Sequence, residues 1–258
     1  MSNDAGDRFL RGPGVDERRY KCRNLYEKKP VLFAILWIVI YVVVMGTIRG
    51  RFGDDSLQML LGLVAVSSVL LLVIRRLDIQ KELGMTRWLQ NGKALLWLLP
   101  MWVLSTGNLW GGAGLRYEPI NTVMAVLSFL LVGVAEEIVF RGFLFNGMRR
   151  TGKLSVAIFV SACTFGMGHI VNLLTGQATG ETLVQVIFAV AWGFLLTFAY
   201  LKGGSLLPCI AIHSLIDVFS VFARDNEVAH WIVIIATVAV ALVYCLYLSK
   251  QPTPKAAE

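Results

Sequence analysis

The stretch of sequence that decides the fold is PINTVMAVLSFLLVGVAEEIVFRGFLF, residues 119–145. Residues 119–135 carry no charge and approach the length of about 20 residues that a helix needs to cross a bilayer. Two adjacent carboxylates and an arginine follow, and apolar sequence then resumes. Ionisable groups inside a spanning helix cost several kcal/mol each, so they indicate a functional site.

Uncharged runs of similar length recur along the whole chain. Hydrophobic residues make up 56% of the sequence and charged residues 16%. The runs are 30–48, 56–74, 94–115, 119–135, 154–180, 182–201, 228–249, and 203–222, the last interrupted only by His213 and Asp217. We therefore predict an all-α, polytopic membrane protein with about eight transmembrane helices. The run 94–115 holds Pro100 and a glycine cluster, so its helix is expected to be short, broken or partly interfacial.

The basic residues predict an orientation and a domain organisation. The net charge is +7, and Lys and Arg concentrate before the first run, in alternate connections and in the C-terminal tail. By the positive-inside rule, both termini are expected in the cytosol. We predict a basic cytosolic tail over 1–29, a membrane domain over 30–249 and a second cytosolic tail over 250–258. Because the cations are divided among loops, they suit lipid headgroups and not a nucleic acid.

The first of three polar clusters is Glu136-Glu137-x-x-x-Arg141. Glu137 and Arg141 are four residues apart and can form an ion pair on one helix face. Adjacent residues lie about 100° apart on a helix, so Glu136 points elsewhere and can serve as a proton acceptor. The alternative is a helix end at the interface, where these side chains reach water.

The other two clusters contain histidine. Phe165-Gly166-Met167-Gly168-His169 combines an imidazole with glycines that allow another helix, water or substrate to approach closely. In His213-Ser214-Leu215-Ile216-Asp217, the spacing places His213 and Asp217 on one helix face. The alternative for His169 is an ordinary buried histidine with its hydrogen bonds formed inside the core. The alternative for His213 and Asp217 is a polar contact that holds two helices together.

Helix geometry predicts that the clusters lie at one depth. Glu136 lies 16 residues before Gly152 and His169 lies 17 residues after it. If the turn falls near Gly152, both lie roughly 24 Å from it, provided that the helix of Glu136 continues to about Arg149. His213 follows Gly203 by ten residues, so it belongs to the same half of the bilayer. Three clusters at a single level indicate one site.

The ordered set of three motifs resembles the CAAX protease and bacteriocin-processing family (CPBP, or Abi), which includes the type II CAAX prenyl proteases. The resemblance covers about residues 117–222. It implies an eight-helix fold, a cavity open to the cytosol and peptide hydrolysis within or beside the membrane. The third motif of that family usually ends in Asn, whereas this chain has Asp217.

The resemblance also implies roles and partners. Glu136 and His169 would activate a water, His213 and Asp217 would stabilise the oxyanion, and Glu137 and Arg141 would order the first pair. The family is commonly classed as metalloproteases, so Glu136, His169 and His213 are candidate Zn²⁺ ligands, while a metal-free, glutamate-dependent mechanism uses the same atoms. The expected substrate is a lipidated (CAAX-type) or membrane-embedded peptide or protein, and the expected location is the plasma membrane.

Two other functions stay open on the sequence. The same scaffold could bind a peptide without cutting it, as a bacteriocin self-immunity protein does. A proton-coupled transporter could use Glu136 and the histidines as a relay, although the chain lacks the internal repeat that transporter folds often show.

Overall fold

The computed structural model describes residues 17–88, 94–251 and 253, and regular structure in these ranges is helical. The strand-like pairing that these residues contain is one antiparallel bridge between Ala113 and Ala223. The helices are α1 Glu17–Lys28, α2 Pro30–Phe52, α3 Leu57–Leu77, α4 Ala94–Ser105, α5 Pro119–Thr151, α6 Leu154–Met167, α7 Thr179–Gly203, α8 Leu207–Val221 and α9 Glu227–Ser249. The predicted all-α membrane architecture is confirmed.

Six of these helices are long and apolar enough to cross a bilayer, counted over the described residues. They are α2, α3, α5, α6 (extended to Leu174), α7 and α9. The remaining two predicted runs form shorter helices: α4 has 12 residues and α8 has 15. The run 94–115 is short and broken as expected, because α4 contains Pro100 and gives way to a 3₁₀ turn at Gly107–Leu109. The total of eight crossings stays a prediction.

Helix α5 continues past the paired glutamates, as the depth estimate requires. Its α-helical part spans Pro119–Glu137, a π-helical segment spans Ile138–Phe145, and an α-helical part resumes over Asn146–Thr151. All eight residues of the π-helical segment are buried. Such segments are rare and often mark functional sites, and this one begins directly after Glu137.

Hydrogen bonds between side chains and loops join the segments that connect the helices, and they lie at two opposite ends of the molecule. At the first, which we call the basic end, Glu82 accepts hydrogen bonds from Tyr26 (2.8 Å) and Arg150 (3.2 Å). Ser205 donates there to the carbonyl oxygen of Gly84 (2.8 Å). At the opposite end, Asn121 donates to Asp55 (2.8 Å). The helices therefore alternate in direction between two ends, as the sequence predicts.

Residues 17–28 of the predicted tail are not a loose extension. They form α1, whose Tyr26 is buried and packs edge-on against Phe33 at 5.4 Å between ring centroids. The hydrogen bond from Tyr26 to Glu82 ties this helix to the connection after α3. The part of the tail expectation that concerns residues 1–16 lies outside the described residues.

Two glycines bring together the helices that carry the motifs. A β-carbon at Gly133 of α5 would lie 2.8 Å from the backbone nitrogen of Ser214 in α8. A β-carbon at Gly166 of α6 would lie 2.8 Å from the nitrogen of Val190 in α7. Both contacts are too short for any side chain, so glycine permits α5 to pack on α8 and α6 to pack on α7.

Candidate active site

A buried ion pair with a histidine forms the base of the site. The carboxylate of Glu137 and the guanidinium of Arg141 are both fully buried and meet at 2.6 Å, as the i,i+4 spacing predicts. The same Oε1 atom of Glu137 lies 2.8 Å from Nδ1 of His213. This carboxylate therefore joins α5 to α8, since His213 belongs to the latter helix.

Arg141 is enclosed by α6 and α7 as well. Its Nη2 lies 3.4 Å from the carbonyl oxygen of Gly193, and its guanidinium lies 4.2 Å from the ring centroid of Phe165. The Phe165 ring also packs edge-on against both imidazoles, at 5.9 Å from His169 and 5.4 Å from His213. Phe165 thus fixes the spacing of the cation and the two histidines.

Glu136 points away from this ion pair, as the 100° offset predicts. Its side chain is 17% exposed, whereas that of Glu137 is fully buried. The hydroxyl of Tyr41, from α2, donates to Oε1 of Glu136 at 2.9 Å. The second oxygen, Oε2, lies 3.9 Å from Nε2 of His213. The two adjacent carboxylates therefore have different surroundings: Glu137 contacts Arg141 and His213, whereas Glu136 faces the cavity.

His213 and Asp217 lie together on α8. Nε2 of His213 is 3.4 Å from Oδ2 of Asp217. Because an ionised carboxylate only accepts hydrogen bonds, the contact with Glu137 makes Nδ1 a donor. Nε2 is then the ring nitrogen that faces the carboxylates of Glu136 and Asp217.

His169 lies on the 3₁₀ segment Gly168–Thr175 that extends α6. It is half-buried and contributes to the same cavity as Glu136 and His213. Among the described side chains, His169 and Glu136 do not form a direct hydrogen bond with each other. The two groups would therefore cooperate through a water molecule that both can reach.

A cavity of about 340 Å³ joins these groups. This volume is in the range of about 300–1,000 Å³ that is typical of ligand sites. Glu136, His169, His213 and Asp217 all line it, together with Tyr41. The structure thus brings together the predicted residues at one cavity, with Glu137 and Arg141 buried directly behind.

The cavity extends in one direction, towards the end opposite to the basic end. Its lining includes Arg49, Asp54, Asn108 and Ser220, all of which belong to that end. His169, Asp217 and Tyr41 lie on the parts of their helices that lead away from the basic end. The cytosol-facing opening that the family resemblance implies stays a prediction.

Tyr41 is the site residue that sequence reasoning missed. It is uncharged and lies in the apolar run 30–48, where a tyrosine is ordinary. Arg49, about two turns further along α2, also lines the cavity. It pairs with Asp54 at 2.9 Å and donates a hydrogen bond to Asn172 at 2.8 Å. The one signal for Arg49 in the sequence was its position directly after the uncharged run 30–48. An arginine at the end of a membrane span is equally explained as a residue that reaches the interface.

The described side chains do not form a three-ligand metal centre. No group of three or more His, Cys, Asp or Glu residues in the described ranges has the arrangement to hold a metal ion. His213 has one ring nitrogen committed to Glu137, which reduces its availability as a ligand. Glu136, His169 and His213 as Zn²⁺ ligands stay a prediction.

Comparison with known protein families matches part of the chain. Residues 118–219 match the family model described as type II CAAX prenyl endopeptidase Rce1-like. Neither the curated proteins nor the solved structures yield a match to the chain. The matched stretch contains all three motifs and runs from the start of α5 almost to the end of α8. This match over residues 118–219 supports the resemblance to the CAAX protease-like members of the CPBP family.

Proposed function

We propose that the protein is an intramembrane endopeptidase in which Glu136 activates a water molecule for attack on a peptide bond. The observation that carries this proposal is the position of Glu136, a partly exposed carboxylate at a cavity shared with two imidazoles. Glu136 takes a proton from the water as the water oxygen bonds to the carbonyl carbon. That proton then passes to the leaving amine as the C–N bond breaks. His169 reaches the same water from α6 and assists its deprotonation.

His213 stabilises the oxyanion of the tetrahedral intermediate. When protonated, it donates from Nδ1 to Glu137 and from Nε2 into the cavity, where the oxyanion forms. The contact of Nδ1 with Glu137 holds the ring in this orientation, and Asp217 lies beside the Nε2 donor at 3.4 Å. When Asp217 is ionised it cannot replace the amide donor of the usual Asn, and the donor role then falls to His213. Donors fixed in advance for the oxyanion commonly give the largest single contribution to catalysis.

Glu137 and Arg141 are positioning residues. Neither is exposed to the cavity, and Glu137, held by Arg141, fixes the ring orientation of His213 through the bond at Nδ1. Arg141 also holds α6 and α7 through Phe165 and Gly193, so it sets the distance from His169 to the other groups.

The substrate class is a membrane-associated or lipid-modified peptide or protein. The family whose model matches residues 118–219 implies a membrane-associated protein substrate. Phe129, Val132, Phe140 and Phe188 form an apolar wall of the cavity, which suits an apolar residue or a lipid group beside the scissile bond.

Glu136→Gln is expected to abolish cleavage. The amide keeps the shape of the side chain but cannot take the proton, so the rate should fall by about 10²–10⁴-fold. The measurement is mass spectrometry of new peptide termini, with purified protein in detergent and a prenylated CAAX-type peptide as substrate. Glu181→Gln, an exposed carboxylate at the start of α7, is the matched control and should keep full activity. Full activity of the Glu136→Gln protein would refute the proposal.

Tyr41→Phe is expected to lower kcat about tenfold with little change in KM. The substitution removes one hydrogen bond to a carboxylate, a contribution of about 1.5–3 kcal/mol, and leaves the ring packing intact. Tyr26→Phe removes an equivalent bond to Glu82 at the basic end and should leave both constants unchanged. Equal effects of the two substitutions would show that Tyr41 has no specific role in orienting Glu136.

Arg141→Leu is expected to lower the stability of the protein and to abolish its activity. The change leaves the buried carboxylate of Glu137 without its cation, which costs about 3–5 kcal/mol. Thermal unfolding in detergent measures the loss. Arg23→Leu breaks an ion pair of the same i,i+4 spacing on the surface of α1 and should change the Tm little. The double variant Glu137→Gln/Arg141→Leu should regain part of the stability but not the activity. An unchanged Tm in Arg141→Leu would contradict a structural role for the buried pair.

A further inference from the structure

One wall of the cavity is formed by a single face of α7. The residues of this helix that line the cavity are Gln185, Phe188, Ala189, Trp192 and Leu196. Successive members are one, three or four residues apart, so they form one stripe along the helix, which we call the α7 stripe. Beyond Gln185 the stripe presents apolar groups together with the indole of Trp192, whose N–H is a polar atom in these apolar surroundings.

The indole N–H of Trp192 is buried without a partner. The residue is 3% exposed, and its Nε1 has no hydrogen-bond partner among the described residues. The ring packs edge-on against Phe188, with 6.4 Å between ring centroids. A buried donor that stays unpaired costs free energy, and most such groups in native proteins are paired. Because this donor belongs to a residue of the cavity wall, we look to a bound molecule for its acceptor.

The backbone beside Trp192 is held firmly in place. A β-carbon at Gly193 would lie 2.7 Å from the carbonyl oxygen of Ala162, so α7 packs directly on α6 at this level. The carbonyl oxygen of Gly193 accepts a hydrogen bond from the hydroxyl of Thr197 at 2.7 Å and lies 3.4 Å from Nη2 of Arg141. Trp192 therefore lies at the level of the buried ion pair behind Glu136. A donor fixed in this way adds little ordering cost when a ligand binds.

The chemistry of the indole selects the kind of acceptor. An indole N–H donates and cannot accept, so its partner must carry a lone pair. Every residue of a peptide offers a backbone carbonyl oxygen of this kind. Under the proposed function the scissile carbonyl oxygen turns towards Nε2 of His213, which leaves Trp192 for the carbonyl of a neighbouring peptide unit. Phe188, Ala189 and Leu196 then surround the side chain of that residue with apolar groups.

We propose that Trp192 is a substrate-binding residue whose indole N–H donates a hydrogen bond to a backbone carbonyl oxygen beside the scissile bond. The α7 stripe around it is the subsite for an apolar side chain of the same peptide. This inference rests on the proposed function and deepens it, because it assigns a residue that fixes the register of the peptide relative to Glu136.

The first test measures binding without cleavage. A prenylated CAAX-type peptide is titrated into the purified Glu136→Gln protein in detergent, and the same titration is made after Trp192→Phe is added. We expect Trp192→Phe to raise the Kd about tenfold, the effect of losing one buried hydrogen bond. Trp37→Phe is the matched control, since Trp37 packs against Phe33 and Phe143 outside the cavity lining and should leave the Kd unchanged.

An isostere separates the hydrogen bond from the volume of the ring. Benzothienylalanine keeps the shape of tryptophan but has sulfur in place of the indole N–H. At position 192 it is expected to raise the Kd as much as phenylalanine does. It should not lower the Tm, because the N–H that it removes has no partner in the free protein. Equal affinities of the tryptophan and benzothienylalanine proteins, including a lack of measurable binding by both, would overturn the inference.

A series of thioamide peptides locates the carbonyl that Trp192 contacts. Each peptide carries sulfur, a weaker acceptor, in place of one backbone carbonyl oxygen near the scissile bond. With Trp192 present, we expect one position beside the scissile bond to lose affinity. With benzothienylalanine at position 192, the same peptide should bind as well as its oxygen parent. Equal losses in the two proteins at every position would contradict the contact.

Steady-state kinetics with Glu136 intact distinguishes this inference from the proposed function. Trp192→Phe is expected to raise KM about tenfold with little change in kcat, because the bond forms in the bound substrate as well as in the transition state. A fall in kcat with an unchanged KM would overturn a role in substrate binding. If Glu136→Gln cleaves normally while Trp192→Phe still weakens binding, the proposed function fails and the binding role of Trp192 stands.

Discussion

The buried carboxylate of Glu137 is the constraint on which the site depends. An ionised group without exposure to water needs a cation and hydrogen-bond donors, and Glu137 has Arg141 at 2.6 Å and His213 at 2.8 Å. One donor comes from its own helix and the other from α8, so satisfying the charge fixes how the two helices pack. Gly133 permits this packing, because a β-carbon there would collide with the backbone of Ser214. Arg141 then extends the same requirement to α6 and α7 through Phe165 and Gly193.

The paired glutamates show how adjacent residues acquire different chemistry. Glu137 faces the protein interior and is held by two cationic or protonated partners. Glu136 is turned towards the cavity, where Tyr41 bonds one carboxylate oxygen and the other is free to meet water. A carboxylate without a bound cation is the better proton acceptor. The reactive carboxylate, Glu136, and the structural carboxylate, Glu137, are therefore adjacent residues with different roles. The π-helical segment that begins at Ile138 follows directly, and its buried residues hold this arrangement in place.

The features that depend on spacing within one segment of the sequence were predictable. The i,i+4 rule gave the Glu137–Arg141 pair and the shared face of His213 and Asp217, and the length of the uncharged runs gave the helical membrane architecture. The contact between Glu137 and His213 was not predictable, because it depends on the rotation of α8 against α5, which no motif records. Tyr41 was missed for a similar reason: it lies 95 residues before Glu136 and resembles any tyrosine in an apolar run. The direction of the cavity depends on which half of each helix lines it, and only the packed structure reveals that.

The most direct measurement is an experimental structure of the Glu136→Gln protein with an uncleaved substrate peptide bound. We expect the scissile carbonyl carbon to lie in the cavity about 3–4 Å from a water molecule held by residue 136, with the carbonyl oxygen turned towards Nε2 of His213. A peptide bound elsewhere on the molecule, or in the cavity with no peptide bond near residue 136, would contradict a hydrolytic role for this carboxylate.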